Sequence, residues 1–324
     1  GVPLNTYCDN NRLNIKERLQ LITRVCEGVQ HAHQKAIIHR DLKPSNVLVT
    51  TIDGQPVPKI IDFGVAKVLD DDLLSNTMTT GVGQLVGTPE YMSPEQADFD
   101  SAGVDTTTDV YALGVILYEL LVGVLPFSSA DLKEKGFKEV LRVIKEVEPP
   151  KPSTRMQTIS RAPETKIGDF SQARTTEPTV LRRNLKGDLD WITMKALEKD
   201  KARRYQTANA LAMDIGRHLD FEPVQACPPS RKYRIQKFVR RNRTWVAAGG
   251  FILAAILLGI AGTTTGMIRA FRAEKHAQQE AEASRQVSDF LVDLFEVSDP
   301  DQARGNTITA REILDTGSHR IESE

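Results

Sequence analysis

The run HRDLKPSN at residues 39–46 sets an aspartate, Asp41, two positions before a lysine, Lys43, and five before an asparagine, Asn46; a second aspartate, Asp62, opens the run DFG at 62–64. Moving a phosphoryl group requires an acceptor hydroxyl held in line, compensation of the phosphate charge and a hard cation bridging the phosphates, hence carboxylates, an amide and a cation around one cleft. Asp41, Lys43, Asn46 and Asp62 supply that set. Asn46 and Asp62 offer the oxygen donors that Mg²⁺ prefers, and Gly64 frees the backbone just after the second of them.

The flanking sequence supplies the elements that must position these groups. Leu13, Ile15, Leu19, Ile22, Val25, Val29 and Ala32 recur close to every 3.6 residues, which predicts helical structure packed on a core over 12–36. Val47, Leu48 and Val49, a turn at Asp53-Gly54, and Lys59, Ile60 and Ile61 predict two short strands closing a hairpin, with Asp62 just beyond. Thr108 to Val122 is apolar almost all round and predicts the buried central helix. Residues 65–86, rich in Asp, Ser, Thr and Gly, predict a loop that charge could order, and the polar stretch 151–184 predicts a long insertion of low order. Packing resumes at Leu189 and runs to about Leu219; Pro223, Pro228 and Pro229 then mark a linker.

The chain has 324 residues, 40% hydrophobic and 26% charged, with a formal net charge of −1, which excludes a disordered or fibrous protein and offers no sign of nucleic-acid binding. Three scattered cysteines, Cys8, Cys26 and Cys227, lack metal-ligand spacing and read as reduced cytoplasmic thiols. The start without Met and the uncapped charged end point to a chain cut at both ends.

Beyond the linker, Arg231, Lys232, Arg234, Lys237, Arg240, Arg241 and Arg243 lead into an uncharged segment, 244–268, long enough for the about 20 residues that cross a bilayer. Thr263 to Thr265 lower its hydropathy, and a buried soluble helix is the competing reading. Positive charge is denser before the span than after it, where Arg269, Arg272 and Lys275 follow, so the N-terminal part is expected in the cytoplasm and the tail on the opposite side of the cell membrane. Gly262 and Gly266 are spaced for close helix approach and compatible with a homodimer, though glycine is also simply tolerated in lipid. Residues 269–324 predict a helical tail whose stripe of Val287, Phe290, Leu291, Leu294 and Phe295 requires a partner, as in a coiled coil or the start of a helical repeat.

HRDLKPSN, DFG and GTPEYMSPE at 87–95, in this order, resemble the catalytic loop, metal loop and activation-segment end of protein kinases, specifically the bacterial, eukaryotic-like (Hanks-type) serine/threonine kinases of the membrane-anchored kind. The resemblance covers residues 1 to about 222 and implies an α+β, mainly α fold: the large lobe of a kinase, then a basic juxtamembrane linker (223–243), one transmembrane helix (244–268) and the tail. It implies transfer of the γ-phosphate of ATP to Ser or Thr hydroxyls of proteins, with Mg²⁺, or Mn²⁺ in its place. Asp41 would accept the hydroxyl proton, Lys43 face the transferring phosphate, Asn46 and Asp62 hold the metal, Leu48 belong to the nucleotide site, and Thr88 lie near Asp41 and Lys43 to select the acceptor. His39 and Asp109 would be scaffold residues, and Glu95 would pair with Arg204. Ser93 replaces the alanine usual before Pro-Glu. Arg40 before Asp41 is the arrangement of kinases switched on by activation-loop phosphorylation, with Thr77, Thr79 and Thr80 as candidate acceptors. GVGQLVG at 81–87 resembles a phosphate loop but lies between DFG and SPE with the wrong glycine spacing. The smaller lobe, with its glycine-rich loop, strand lysine and helix glutamate, is expected before Gly1, and this chain alone is expected to transfer little phosphate. The competing functions are a pseudokinase or receptor scaffold acting by protein binding, and an inactive fragment.

Overall fold

The computed structural model describes residues 1–63, 89–98, 103–127, 136–159 and 177–296. Strand β1 (Val2–Pro3) leads into α1 (Leu4–Asn10) and α2 (Ile15–Gln34). The Asn14 side chain accepts the Glu17 N–H while the Glu17 carboxylate accepts the Asn14 N–H, a reciprocal cap that starts α2. One face of α2, with Leu19, Ile22, Val25 and Val29, is buried as its periodicity requires. Arg18 is buried too: its guanidinium reaches Asp9 at 2.7 Å and the carbonyls of Leu13 and Cys8, tying α1 to α2.

A 3₁₀ turn at Pro44–Asn46 feeds β2 (Val47–Ile52), which pairs antiparallel with β3 (Gln55–Ile60) in the register Val47↔Ile60 to Ile52↔Gln55. Asp53 and Gly54 between them have φ of 50° and 74°, the two left-handed residues of a tight hairpin turn. The hairpin was legible in the sequence; its third strand, β1 on β2 through Val2↔Val49, was not, because two residues carry no period.

Next come α3 (Pro94–Ala97), α4 (Thr106–Val122) and α5 (Phe137–Glu146). Asp105 caps α4 by accepting the Thr107 N–H, and Gly123 ends it at a φ of 82°. Nearly every side chain of α4 is buried, and at Gly114 the approach of Ala196 is so close that a Cβ would lie 2.8 Å from the Ala196 Cβ. α5 packs Val140, Val143 and Ile144 with Ala97 in a smaller satellite core.

The stretch 151–184, expected as a loop of low order, begins and ends in helix: α6 (Pro152–Ile159) and α7 (Pro178–Leu185). Met156, Leu181 and Leu185 insert into the main core, three apolar anchors sufficient to fold short polar helices against a larger body. α8 (Asp188–Ala196) and α9 (Ala208–Leu219) complete that core against α4 and α2. In the proline-marked segment after α9 Val224 is buried, and α10 (Arg231–Arg241) follows within the same compact unit, Gly1–Asn242.

A second unit starts at Arg243 with α11 (Arg243–Glu296), one continuous helix of 54 residues. It is long and apolar enough to cross a bilayer. Trp245, Phe251 and Leu258 are 74–79% exposed. The hydroxyls of Thr263, Thr264 and Thr265 donate to carbonyls three and four residues back, from Gly259 to Gly262, at 2.8–3.0 Å. Their polarity is thus satisfied inside the helix, which suits them to hydrocarbon.

Candidate active site

The loop 39–46 is held from below by the first turn of α4. Asp109 is 1% exposed, and its carboxylate accepts the backbone N–H of His39 at 2.8 Å and of Arg40 at 2.9 Å. His33, in the last turn of α2, places Nε2 2.7 Å from the same carboxylate. Arg40 has a φ of 64°, a left-handed conformation costly for a residue with a Cβ. Its amide is held by Asp109, and its carbonyl accepts the Gln96 Nε2–H at 2.6 Å, so the strained residue is pinned from both sides.

His39 is fully buried and joins the two sequence motifs. Its Nδ1 accepts the Asp41 N–H at 3.3 Å, so Nε2 carries the proton and donates to the Ile61 carbonyl at 2.9 Å. Its ring also lies 4.9 Å from that of Phe63. A backbone bond from Ile61 N–H to the Asn46 carbonyl, 2.9 Å, continues the hairpin ladder and sets Asp62 beside the 3₁₀ turn that carries Asn46. Asp62 is exposed, with a φ of 56°.

Within the loop, Lys43 Nζ lies 2.9 Å from Asp41 Oδ2, both side chains about a quarter exposed. Asn46 is buried and spends its amide hydrogens on Asp41, 2.9 Å to the carbonyl and 3.4 Å to Oδ2. Its carbonyl oxygen is left with a 3.4 Å contact from the Ser45 hydroxyl and is available as a donor. That oxygen and the Asp62 carboxylate are of the ligand type that a small hard cation would take. Among the described residues no group of three or more His, Cys, Asp or Glu is placed to hold a metal. Leu48 lies half-buried on β2 opposite Pro3 and Lys59.

A small cleft lined by Asp41, Leu42, Tyr91, Met92 and Gln96 opens at the Asp41 end of the loop. Its wall is fastened behind by Glu95, whose oxygens accept from Arg204 at 2.7 Å each and from the Thr108 hydroxyl at 2.8 Å. Burial by itself would raise the Glu95 carboxyl, but the Arg204 hydrogen bonds and charge hold it below its usual range. Arg204, with no exposed side-chain surface, also donates to the carbonyls of Glu198, Lys199 and Thr107, so every part of the guanidinium is used. Ser93 accepts the Gln96 N–H and the Gln96 side chain accepts the Ser93 N–H, so serine at this position caps α3.

The structure thus brings together Asp41, Lys43 and Asn46, with Asp62 next in chain to the Ile61–Asn46 backbone bond, His39, Arg40 and Asp109 beneath the loop and the Glu95–Arg204 pair behind. Thr77, Thr79, Thr80, Thr88 and the run 81–87 lie outside the described residues. Sequence reasoning missed His33 and Gln96. The capping pattern Ser-Pro-Glu-Gln could have flagged Gln96; nothing in the sequence marks His33.

The model of the protein kinase domain matches residues 2–214. Serine/threonine-protein kinase PknB of Mycobacterium tuberculosis is 33% identical over 211 residues, 65% of this chain and 28% of the relative. Serine/threonine-protein kinase Pkn1 of Myxococcus xanthus is 42% identical over 163 residues, 50% of this chain and 22% of the relative. The probable serine/threonine-protein kinase PknB of Corynebacterium glutamicum is 28% identical over 341 residues, which take in 91% of this chain, apolar segment included, and 46% of the relative. The chain spans less than half the length of these relatives. With the family's domain matched over most of the first unit, and with kinases of three bacteria among its relatives, the chain belongs to the protein kinase family, in its bacterial Hanks-type serine/threonine branch.

Proposed function

We propose that the chain carries the catalytic loop and metal loop of a membrane-anchored protein serine/threonine kinase that uses ATP with Mg²⁺. The observation that carries this reading is the cluster of Asp41, Lys43 and Asn46 on a loop whose backbone is pinned by Asp109. Asp41 orients the acceptor hydroxyl and takes its proton as the oxygen bonds to the γ-phosphorus and the bond to the β-phosphate oxygen breaks. Lys43 sits beside that carboxylate and compensates the phosphate charge. Asn46 and Asp62 hold the metal, and Leu48 forms part of the nucleotide floor. Bound Mg²⁺ would supply positive charge to neutralise the phosphates. Acceptor peptides enter at the cleft by Tyr91 and Met92, with Thr88 helping to select Ser or Thr.

α11 anchors the protein in the cell membrane, with the first unit on the cytoplasmic side, where ATP is, and with Gly262 and Gly266 suited to pairing with a second copy. Phosphate on Thr77, Thr79 or Thr80 would engage Arg40 and order the activation segment. Phosphopeptide mapping of the active protein that finds no phosphate between residues 65 and 88 would exclude that regulation.

The deciding experiment compares the full-length protein with its Asp41→Asn variant in a Mg-ATP phosphorylation assay, with nucleotide binding as a control for folding. Loss of a general base predicts a fall of about 10²–10⁴-fold in transfer with binding retained. Equal transfer by the variant would refute the assignment of Asp41.

A further inference from the structure

α10 presents two opposed faces. Tyr233 and Lys237, four residues apart on one side, turn to the first unit: the Tyr233 hydroxyl donates to Asp188 at 2.8 Å, Lys237 pairs with the same carboxylate, and the Tyr233 ring meets Trp191 edge to face. Near the end of the helix, Arg240 covers the Phe221 ring and Arg241 pairs with Glu222. On the other side Ile235, Phe238 and Val239 are 64%, 58% and 41% exposed, at helical positions roughly opposite Tyr233 and Lys237 at 100° per residue. Lys232 and Arg234 flank this apolar strip and Arg231 stands at its N-terminal end, and residues 231–243 hold seven Lys and Arg and no Asp or Glu. Asn242 alone separates α10 from α11.

We infer that α10 lies on the anionic lipid surface of the cytoplasmic leaflet, burying Ile235, Phe238 and Val239 at the headgroup boundary while its opposite face grips the kinase unit through Asp188. An amphipathic helix with a basic margin binds that boundary by apolar burial and by attraction to anionic headgroups together. The excess of positive charge left after the Lys237–Asp188 and Arg241–Glu222 pairs selects an anionic surface over a neutral one, and the direct connection to a spanning helix keeps α10 at it. The inference rests on the membrane-anchored reading of α11.

The test uses the full-length protein with its exposed cysteines, Cys227 among them, changed to Ser, Cys8 and Cys26 being buried, in nanodiscs of phosphatidylcholine with or without phosphatidylglycerol. Nitroxide labels are placed in turn at Phe238→Cys, Gln236→Cys and Leu257→Cys, and their accessibility to oxygen and to a water-soluble nickel complex is measured. The expected result is a lipid-exposed label at 238 in anionic discs, an aqueous label at 236, and a shift of 238 toward water in neutral discs. The same shift is expected in anionic discs when Arg231, Lys232 and Arg234 are all changed to Glu. An aqueous label at 238 in anionic discs, with 257 in lipid, overturns the inference and leaves the anchor standing. An aqueous label at 257 overturns both. Spin–spin broadening at 238 overturns it in favour of a second copy on that face.

Discussion

The carboxylate of Asp109 accepts the backbone N–H of Arg40 across 69 positions of sequence, at a residue whose φ of 64° would not persist unaided. The same carboxylate takes the His39 N–H, so one buried side chain sets the path of the loop that carries Asp41. Asp109→Asn keeps one acceptor oxygen and turns an N–H₂ group toward the amide that loses its partner. The expected loss is about 3 kcal/mol of stability, from hydrogen bonds to a charged group at about 1.5–3 kcal/mol each. Phosphate transfer should fall by about 10²-fold as the loop shifts, with ATP binding less affected. Denaturant unfolding and steady-state kinetics of the same preparation check both.

The Glu95–Arg204 pair is an inward-facing brace. Arg204→Met should cost about 3–5 kcal/mol at neutral pH because Glu95 is left as a buried charge without its partner. The double variant Glu95→Gln/Arg204→Met should recover much of that loss, a comparison read from denaturant midpoints. Single and double variants of equal stability would show that the charge is not what the pair protects.

Gly114→Ala sets helix propensity against packing. Alanine is favoured over glycine in a helix interior by about 1 kcal/mol. The added Cβ, however, would stand 2.8 Å from the Ala196 Cβ and 3.2 Å from its backbone carbon, where α4 and α8 cross. Overpacking of this kind costs about 1–3 kcal/mol, so the variant should be less stable, and a lowered Tm checks the sign.

Asp188 predicts a pH dependence. Burial would raise its carboxyl, but hydrogen bonds from His218, Lys237 and Tyr233 outweigh it and bring the carboxyl from 3.8 down to about 2. A carboxylate depressed in the folded state contributes stability above its unfolded value that disappears as pH falls through the folded one. The contribution of Asp188 should therefore be intact above about pH 4 and lost toward pH 2. Asp188→Asn should flatten that part of the acid-unfolding curve, and hydrogen exchange in 231–241 should rise in the variant at neutral pH as α10 loosens from α8.

Much of the candidate site was legible in the sequence. Asp41, Lys43 and Asn46 lie within six residues and Asp62 follows a short hairpin marked by Asp53-Gly54, so local chain geometry alone keeps them together. α4 declared itself as central because it is apolar on every side. Met156, Leu181 and Leu185 were overlooked because three anchors among polar residues make no period; only a neighbouring core turns them into helix faces. Lys237 reads in sequence as part of a basic run, and only its meeting, together with Tyr233, with Asp188 reveals a docked helix.

The sequence by itself determined the chemistry: which carboxylates, amide and cation occur, in what order, and that an apolar segment follows them. The tertiary structure alone decided what holds that chemistry in place. His33 with Asp109, Gln96 with Arg40 and Arg204 with Glu95 join polar residues 56 to 109 positions apart. Polar side chains carry no periodicity to announce a partner, and such contacts form only once the apolar core has brought their helices together.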